Sequence, residues 1–306
     1  MQIIQGTTDF SLPKPSAVTI GKFDGMHLGH RKLFEQVLAQ KEKGLLAVIF
    51  TFDPAPEAFF SGKEIQGLMS REEKLSAFEK MGIDILIEFP LNRETASTEP
   101  VRFVREYLVH KLKAAVIIAG TDISFGNKGA GDAGLLRELA AECGYQVEII
   151  EKVSVNGEEV SSTLIRESVG KGDMKKAAAL LGAPYFVCGE VTHGKQLGRR
   201  LGMPTVNLLP SREKLLPPNG VYYSDVWFRG VRYAAVTNIG YKPTVSEERT
   251  IGVETYLYDF TEEIYGKEIV VELLEHKRDE MKFDGVEALK KQMRKDIAEG
   301  AVYHGY

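Results

Sequence analysis

Along the N-terminal part of the chain the apolar positions switch repeatedly between two periods. Val18, Thr19 and Ile20 form a short strand-like run. Leu33, Phe34, Val37 and Leu38 then recur at the spacing of one helix face. Residues 46–52, Leu-Ala-Val-Ile-Phe-Thr-Phe, are almost continuously apolar, as in a strand covered on both faces. Ser70-Arg71-Glu72-Glu73 is a capping box and predicts a helix that ends before Gly82. Further strands are expected at 85–89, 115–119 and 147–151. Between them lie a helix capped by Thr98, carrying Val101, Val104, Leu108 and Leu112, and a helix carrying Leu135, Leu136, Leu139 and Cys143. Strands alternating with helices predict a doubly wound α/β domain around a parallel sheet. Ligands of such sheets bind outside the carboxyl ends of the strands.

The pattern changes after Leu180-Leu181-Gly182-Ala183-Pro184. Segments 186–191, 221–228, 231–237, 253–258 and 269–274 are short and rich in β-branched and aromatic residues. The stretch 228–232, Phe-Arg-Gly-Val-Arg, reads as a hairpin connection. Only the tail, 285–299, has helical spacing, with Val286, Leu289, Met293 and Ile297 on one face. Short strands plus a closing helix predict an antiparallel β-barrel with a terminal helix. The expected domains are therefore residues 1–183 and 184–306.

Composition narrows the class. A length of 306 residues suits two domains, and 43% hydrophobic with 27% charged residues is ordinary for a globular protein. A net charge of −4 gives no footing for a nucleic-acid partner. The N-terminal Met-Gln-Ile-Ile-Gln-Gly lacks the basic and apolar regions of a signal peptide. No apolar run approaches the roughly 20 residues that span a bilayer. Cys143 and Cys188, the only cysteines, have no metal-ligand spacing and read as small core residues in a reducing compartment. Together these features predict a cytoplasmic protein without a membrane partner; they say nothing about its oligomeric state.

Two stretches carry candidate chemistry. The first, "GKFDGMHLGH" (21–30), follows a predicted strand and opens a helix. Such a turn aims free backbone N–H groups above the sheet, a ready anion site. Gly21, Gly25 and Gly29 keep the turn slim, and His27 and His30, about one turn apart, can both donate to one phosphoryl group. Two surface histidines beside a turn, or a metal site, are the other readings; no third ligand of suitable spacing follows for the latter. The second stretch, "GEVTHGKQLGRRLGMPTVNL" (189–208), is glycine-rich and basic without the Walker A spacing. Thr205 and Asn207 alternate with Val206, so an extended chain points both to one side, where a hydroxyl and an amide oxygen suit Mg²⁺. The alternative is a surface loop leading into a core strand.

These residues also carry a resemblance. "GKFDGMHLGH" resembles the G-x-F-D-G-x-H-x-G-H signature of the nucleotidylyltransferase superfamily, in the form found in bacterial FAD synthetases. "SSTLIRESVGKGDMKKAAALLGAPY" (161–185) and "GTDISFG" (120–126) resemble two further segments of that family. The resemblance implies that Gly21, Phe23, Asp24, Gly29, Ser162 and Thr163 contact ATP. It implies that His27, His30 and Arg166 stabilise the transition state, and that Asp122 lies near the flavin nucleotide. Two positions depart from the pattern: Ala55 stands where a histidine is usual, and Gly129 where an arginine is frequent.

The second stretch resembles the G-x-P-T-A-N signature of riboflavin kinases, with Val206 for the usual alanine. "PPNGVYY" (217–223), "NIGYKPTV" (238–245) and the segment 253–283 extend the match to nearly the end of the chain. The resemblance implies phosphate contacts from Gly194, Lys195, Gly198, Gly202 and Pro204, and Mg²⁺ ligation by Thr205 and Asn207. It implies Glu254 as general base and Arg278 near the flavin. In their order, the motifs are similar to the bacterial bifunctional riboflavin kinase/FAD synthetases. Such a chain would make FMN from riboflavin and ATP, then FAD from FMN and a second ATP. Ala55 and Gly129 motivate an alternative, a kinase with a degenerate first domain. A second alternative is a non-enzymatic flavin-binding regulator, against which the intact Thr205, Asn207 and Glu254 stand.

Overall fold

The computed structural model describes residues 1–194, 197–242 and 250–306. Lys195 of the expected phosphate loop and the last part of "NIGYKPTV" lie outside the described residues. The chain divides into two compact units, Met1–Ser161 and Ser162–Tyr306. The two helices Ser162–Gly170 and Met174–Leu181 thus group with the barrel that follows them.

The first unit is built on six parallel strands: β1 (Gln2–Gln5), β2 (Ser16–Ile20), β3 (Leu46–Asp53), β4 (Ile85–Pro90), β5 (Ala114–Gly120) and β6 (Gln146–Ile150). Their order is β1-β4-β3-β2-β5-β6. Val18, Val48, Ile87 and Ile117 are fully buried in the middle of the sheet, as expected for strands covered on both faces. From β2 the chain proceeds to β3 and β4 on one side, then crosses to β5 and β6 on the other. The connections leaving β2 and β5 therefore diverge, which opens the crevice where ligands of such sheets bind. β1, absent from the sequence reading, pairs with β4 at the edge and keeps Ile3 39% exposed.

The helices follow the periodic pattern with one exception. Leu28–Ala39 buries Leu33, Phe34 and Val37. Ser70 and Glu73 form both halves of the capping box on Arg71–Met81, and Gly82 closes that helix in the left-handed region at φ 83°. The exception is the helix placed after Thr98. Glu99 is its N-cap, Pro100 its first residue, and no side chain caps it. From Phe103 to Lys111 it widens into a π-helix. The wider turn buries Phe103 and Tyr107 together with Val104 and Leu108, and leaves Val101 on the surface. The Tyr107 and Phe89 rings meet edge to face with centroids 4.7 Å apart, a contact the 3.6-residue spacing did not anticipate. A small hairpin, β7 (Ser154–Val155) with β8 (Glu158–Glu159), follows β6.

In the second unit a closed antiparallel barrel follows the two helices. Its strands are β9 (Tyr185–Thr192), β10 (Val206–Leu208), β11 (Gly220–Phe228), β12 (Val231–Lys242), β13 (Thr250–Leu257) and β14 (Glu268–Asp279). They close in the order β10-β13-β12-β11-β14-β9. Arg229 and Gly230 join β11 to β12 with φ of 49° and 78°, the two-residue turn whose twist matches the strands. Val253, Thr255 and Leu257 point inward, and Glu254 and Tyr256 outward. The inward hydroxyls of Ser224, Thr237 and Thr255 bond in a row, at 2.7 and 2.9 Å, so no polar atom of that row is orphaned.

The terminal helix spans Val286–His304, longer than expected. Val286 is 53% exposed, whereas Asp296 and Gly300 are the buried positions. A side chain at Gly300 would meet Val236 Cγ2 at 2.4 Å, so the helix backbone lies directly on the barrel.

Candidate active sites

The first site occupies the turn from β2 into the helix Leu28–Ala39. Phe23, Gly25 and Met26 all adopt positive φ, at 50°, 83° and 47°. For Phe and Met this region is costly, and it persists only where packing over-determines it. Phe23 supplies that packing. Its ring is 1% exposed and sits 5.0 Å from Phe34, 5.3 Å from His30 and 6.4 Å from Phe78. Gly21 makes room for it, since a Cβ there would lie 2.8 Å from Phe23 Cζ. Gly29 does the same for His27, whose ring would lie 3.2 Å from an added Cβ. Two of the three motif glycines thus admit the motif's own rings. The Asp24 carboxylate accepts the Leu68 N–H at 2.8 Å and ties residues 67–69 to the turn.

His27 is the N-cap of the helix. Its Nδ1 faces the backbone N–H of His30 at 3.4 Å. A ring that accepts at Nδ1 carries its proton at Nε2, which leaves an N–H donor. The His27 and His30 rings stack with centroids 3.6 Å apart and planes 18° from parallel. Burial lowers His27 to about 4, against the opposing pull of Asp24 and Asp122. Burial, and then the neighbouring His27, hold His30 well below the usual imidazole range. Both rings are therefore neutral at pH 7. His30 Nδ1 is buried without a partner among the described residues, an orphan that a ligand would satisfy.

Asp122 follows β5, exposed, with Lys152 Nζ 3.7 Å from its carboxylate. Ala55 is the N-cap of the short helix Pro56–Ser61 and supplies no capping group. Gly129 has φ 67°, so an arginine there would need a left-handed backbone; Lys128, its exposed neighbour, is the cation of that turn. Ser162, Thr163 and Arg166 occupy the first turns of the helix Ser162–Gly170 in the second unit. Thr163 is exposed and the other two are half-buried.

The second site is a cavity of about 300 Å³ between the outer face of the barrel and the terminal helix. Four of the sequence candidates line it: Gly198, Thr205, Glu254 and Arg278. Strand register explains the meeting. Glu254 on β13 lies opposite Asn207 on β10 and opposite Asn238 on β12. Directly paired residues share a face, so the three polar side chains form one row across the sheet. Asn207 is 6% exposed and lies under the glycine loop, where a Cβ on Gly194 would come within 2.6 Å of its amide. Gly198 similarly abuts Thr205, whose Oγ1 would be 3.2 Å from an added Cβ. Gly202 turns the chain at φ 77°, and Pro204 is exposed just before β10.

Leu289, Met293 and Ile297 of the terminal helix line the same cavity, together with Met281, Phe283 and Tyr256. Arg278 binds Asp296 there with two hydrogen bonds, Nε to Oδ1 at 3.0 Å and Nη2 to Oδ2 at 2.6 Å. The sequence reading missed Asn238, Tyr256 and Asp296. Tyr256 was legible, because it alternates with Glu254 on one strand face. Asp296 was legible as the polar residue interrupting the apolar stripe of Met293 and Ile297.

Known proteins resemble both units of the chain. A family model described as FAD synthetase matches residues 9–164, and one described as riboflavin kinase matches residues 181–303. The bifunctional riboflavin kinase/FMN adenylyltransferase of Listeria monocytogenes is 35% identical over 95% of this chain and 93% of its own length. That of Escherichia coli K12 is 33% identical over 97% of this chain and 96% of its own. A crystal structure described as a macrolide-efflux protein from Streptococcus pneumoniae is 30% identical, with a TM-score of 0.85 over 97% of this chain and 98% of that one. Among the described residues of the present chain, no helix is long and apolar enough to cross a membrane.

Proposed function

The chain belongs to the family of bifunctional riboflavin kinase/FMN adenylyltransferases, and from that premise we propose how its residues divide the work. It phosphorylates riboflavin to FMN with ATP and adenylylates FMN to FAD with a second ATP, releasing pyrophosphate. The observation that carries this reading is the cavity in which Glu254, Thr205, Gly198 and Arg278 converge.

In the kinase unit, Glu254 accepts the proton of the riboflavin 5′-hydroxyl as that oxygen attacks the γ-phosphorus of ATP, and ADP leaves. The glycine loop, with Gly194, Lys195, Gly198, Gly202 and Pro204, carries the phosphates. Thr205 and Asn207 present oxygen donors beside the Glu254 carboxylate, a donor set that fits Mg²⁺. When bound, the ion neutralises charge on the phosphates. Arg278 and the apolar end of the cavity take the flavin ring.

In the adenylyltransferase unit, an FMN phosphate oxygen attacks the α-phosphorus of ATP and pyrophosphate departs. Neutral His27 donates from Nε2, and His30 beside it completes a pair of uncharged donors to the developing charge. Asp122 lies on the flavin side, and the motif match assigns phosphate contacts to Ser162, Thr163 and Arg166 on the helix Ser162–Gly170.

The test is a time course with riboflavin and Mg-ATP, resolved chromatographically into riboflavin, FMN and FAD. FMN should rise first and FAD follow. Accumulation of FMN alone would mean a kinase with an inactive first unit, the reading that Ala55 and Gly129 motivate. Riboflavin binding without turnover would mean a regulator.

A further inference from the structure

We propose that Asp296 on the terminal helix is a positioning residue for flavin binding: it fixes Arg278 on the cavity wall and makes it a neutral donor edge. This inference rests on the kinase reading of that cavity.

Asp296 is 4% exposed on a helix where Glu287 is exposed and Glu299 is half-buried against Lys277. A carboxylate this buried must be paired and hydrogen-bonded. Two of its three hydrogen bonds among the described residues come from Arg278. Oδ1 receives Arg278 Nε at 3.0 Å and Gln292 Nε2 at 2.9 Å, and Oδ2 receives Arg278 Nη2 at 2.6 Å. Arg278 Nη1 in turn donates to the Asp279 carbonyl at 2.8 Å. A guanidinium has five N–H donors in a rigid plane. Three are engaged, and the plane has no freedom to rotate. Among the described residues two donors remain without a partner, one on each terminal nitrogen.

The bidentate carboxylate also cancels the guanidinium charge. A cancelled pair is a poor partner for a polyphosphate, which favours unpaired cations. It suits an uncharged heterocycle whose ring oxygens and nitrogens accept hydrogen bonds. Leu289, Met293 and Ile297 lie on the same face of the helix as Asp296 and add an apolar wall. The helix thus supplies both the wall for a planar ring and the anchor that sets its donor edge.

The experiment uses the full chain and two readouts: quenching of riboflavin fluorescence on binding, and steady-state kinase kinetics. Asp296→Asn should weaken riboflavin binding and raise its KM roughly ten- to a hundredfold, the range for losing an orienting charge-assisted hydrogen bond. The KM for ATP should stay near the wild-type value. Gln292→Leu removes one donor to Asp296 from a half-buried site and should give a smaller shift of the same kind. The double variant Asp296→Asn with Arg278→Gln should bind riboflavin no more weakly than Arg278→Gln alone, because the first change acts through the second residue. Unchanged riboflavin binding in Asp296→Asn, parallel increases in both KM values, or full additivity with Arg278→Gln would overturn the proposal. If Asp296→Asn does not fold, Gln292→Leu alone decides by the same split. Wild type that binds riboflavin without phosphorylating it would defeat the kinase reading, and the binding titrations would still decide on Asp296.

Discussion

The two candidate sites reach the same kind of chemistry, a phosphoryl group held under attack, by opposite constructions. The first is a loop of ten consecutive residues whose geometry comes from backbone bends and from the Phe23 ring locking them. The second draws Thr205, Glu254 and Arg278 from distant parts of the chain and aligns them by strand register. In the loop, precision depends on packing behind the site. In the barrel, it depends on the hydrogen-bond ladder running through the site. A perturbation of side-chain packing should therefore damage the first site more, and a change of one functional group should be cleaner in the second.

The sharpest form of the contrast is Glu254→Gln. It preserves the ladder and removes the base, so FMN formation should fall by about 10²–10⁴. FAD formation from supplied FMN should persist in the same sample, and a joint loss of both activities in folded protein would sink the assignment. Next is His27→Ala, which removes one oxyanion donor and should lower FAD formation by about 10²–10³. FMN production is the internal control. Acidification follows. Folded His27 titrates near 4, below the ordinary imidazole value of 6.5. Between those values the unfolded chain binds the extra proton and the folded one does not. The His27 contribution to stability of the first unit should be constant above pH 6.5 and fall as pH drops toward 4, by about 1.4 kcal/mol per pH unit. Melting of His27→Gln over the same range should show a shallower slope. The smallest effect is expected from Gly21→Ala, where the new methyl collides with the Phe23 ring. About 1–3 kcal/mol should be lost, as for overpacking elsewhere. Chemical denaturation should show the loss in the first unit, with the barrel transition unmoved.

The same contrast explains what the sequence made legible. Periodicity revealed β2 to β6, because each is a run of apolar residues flanked by turns. It missed β1, whose two isoleucines sit between glutamines at an exposed edge. It missed the π-helix, in which Phe103 and Tyr107 both pack on Phe89, a tertiary contact that the local spacing does not carry. The first site was readable as a contiguous signature. What stayed hidden was the service Gly21 and Gly29 perform for Phe23 and His27, which depends on how the turn folds back on itself. In the barrel, individual motifs marked Thr205, Glu254 and Arg278. Asn238 emerges only once register is known, and the pairing of Asp296 with Arg278 only once the helix is docked.

Barrel closure also bears on self-association. An open sheet presents unpaired N–H and C=O groups along both edges, a template for strands of other molecules. The parallel sheet has two such edges. β1 is only four residues long and polar at both ends, and β6 is five residues carrying Gln146 and Glu148. Short, polar strands of this kind blunt the template. The barrel has no edge while it remains closed. Its narrowest seam is the three-residue β10, which bridges β9 and β13. Opening that seam would free the flanks of two eight-residue strands at once. Aggregation of the partly unfolded protein should therefore start at β10, beside the residues that make the kinase site.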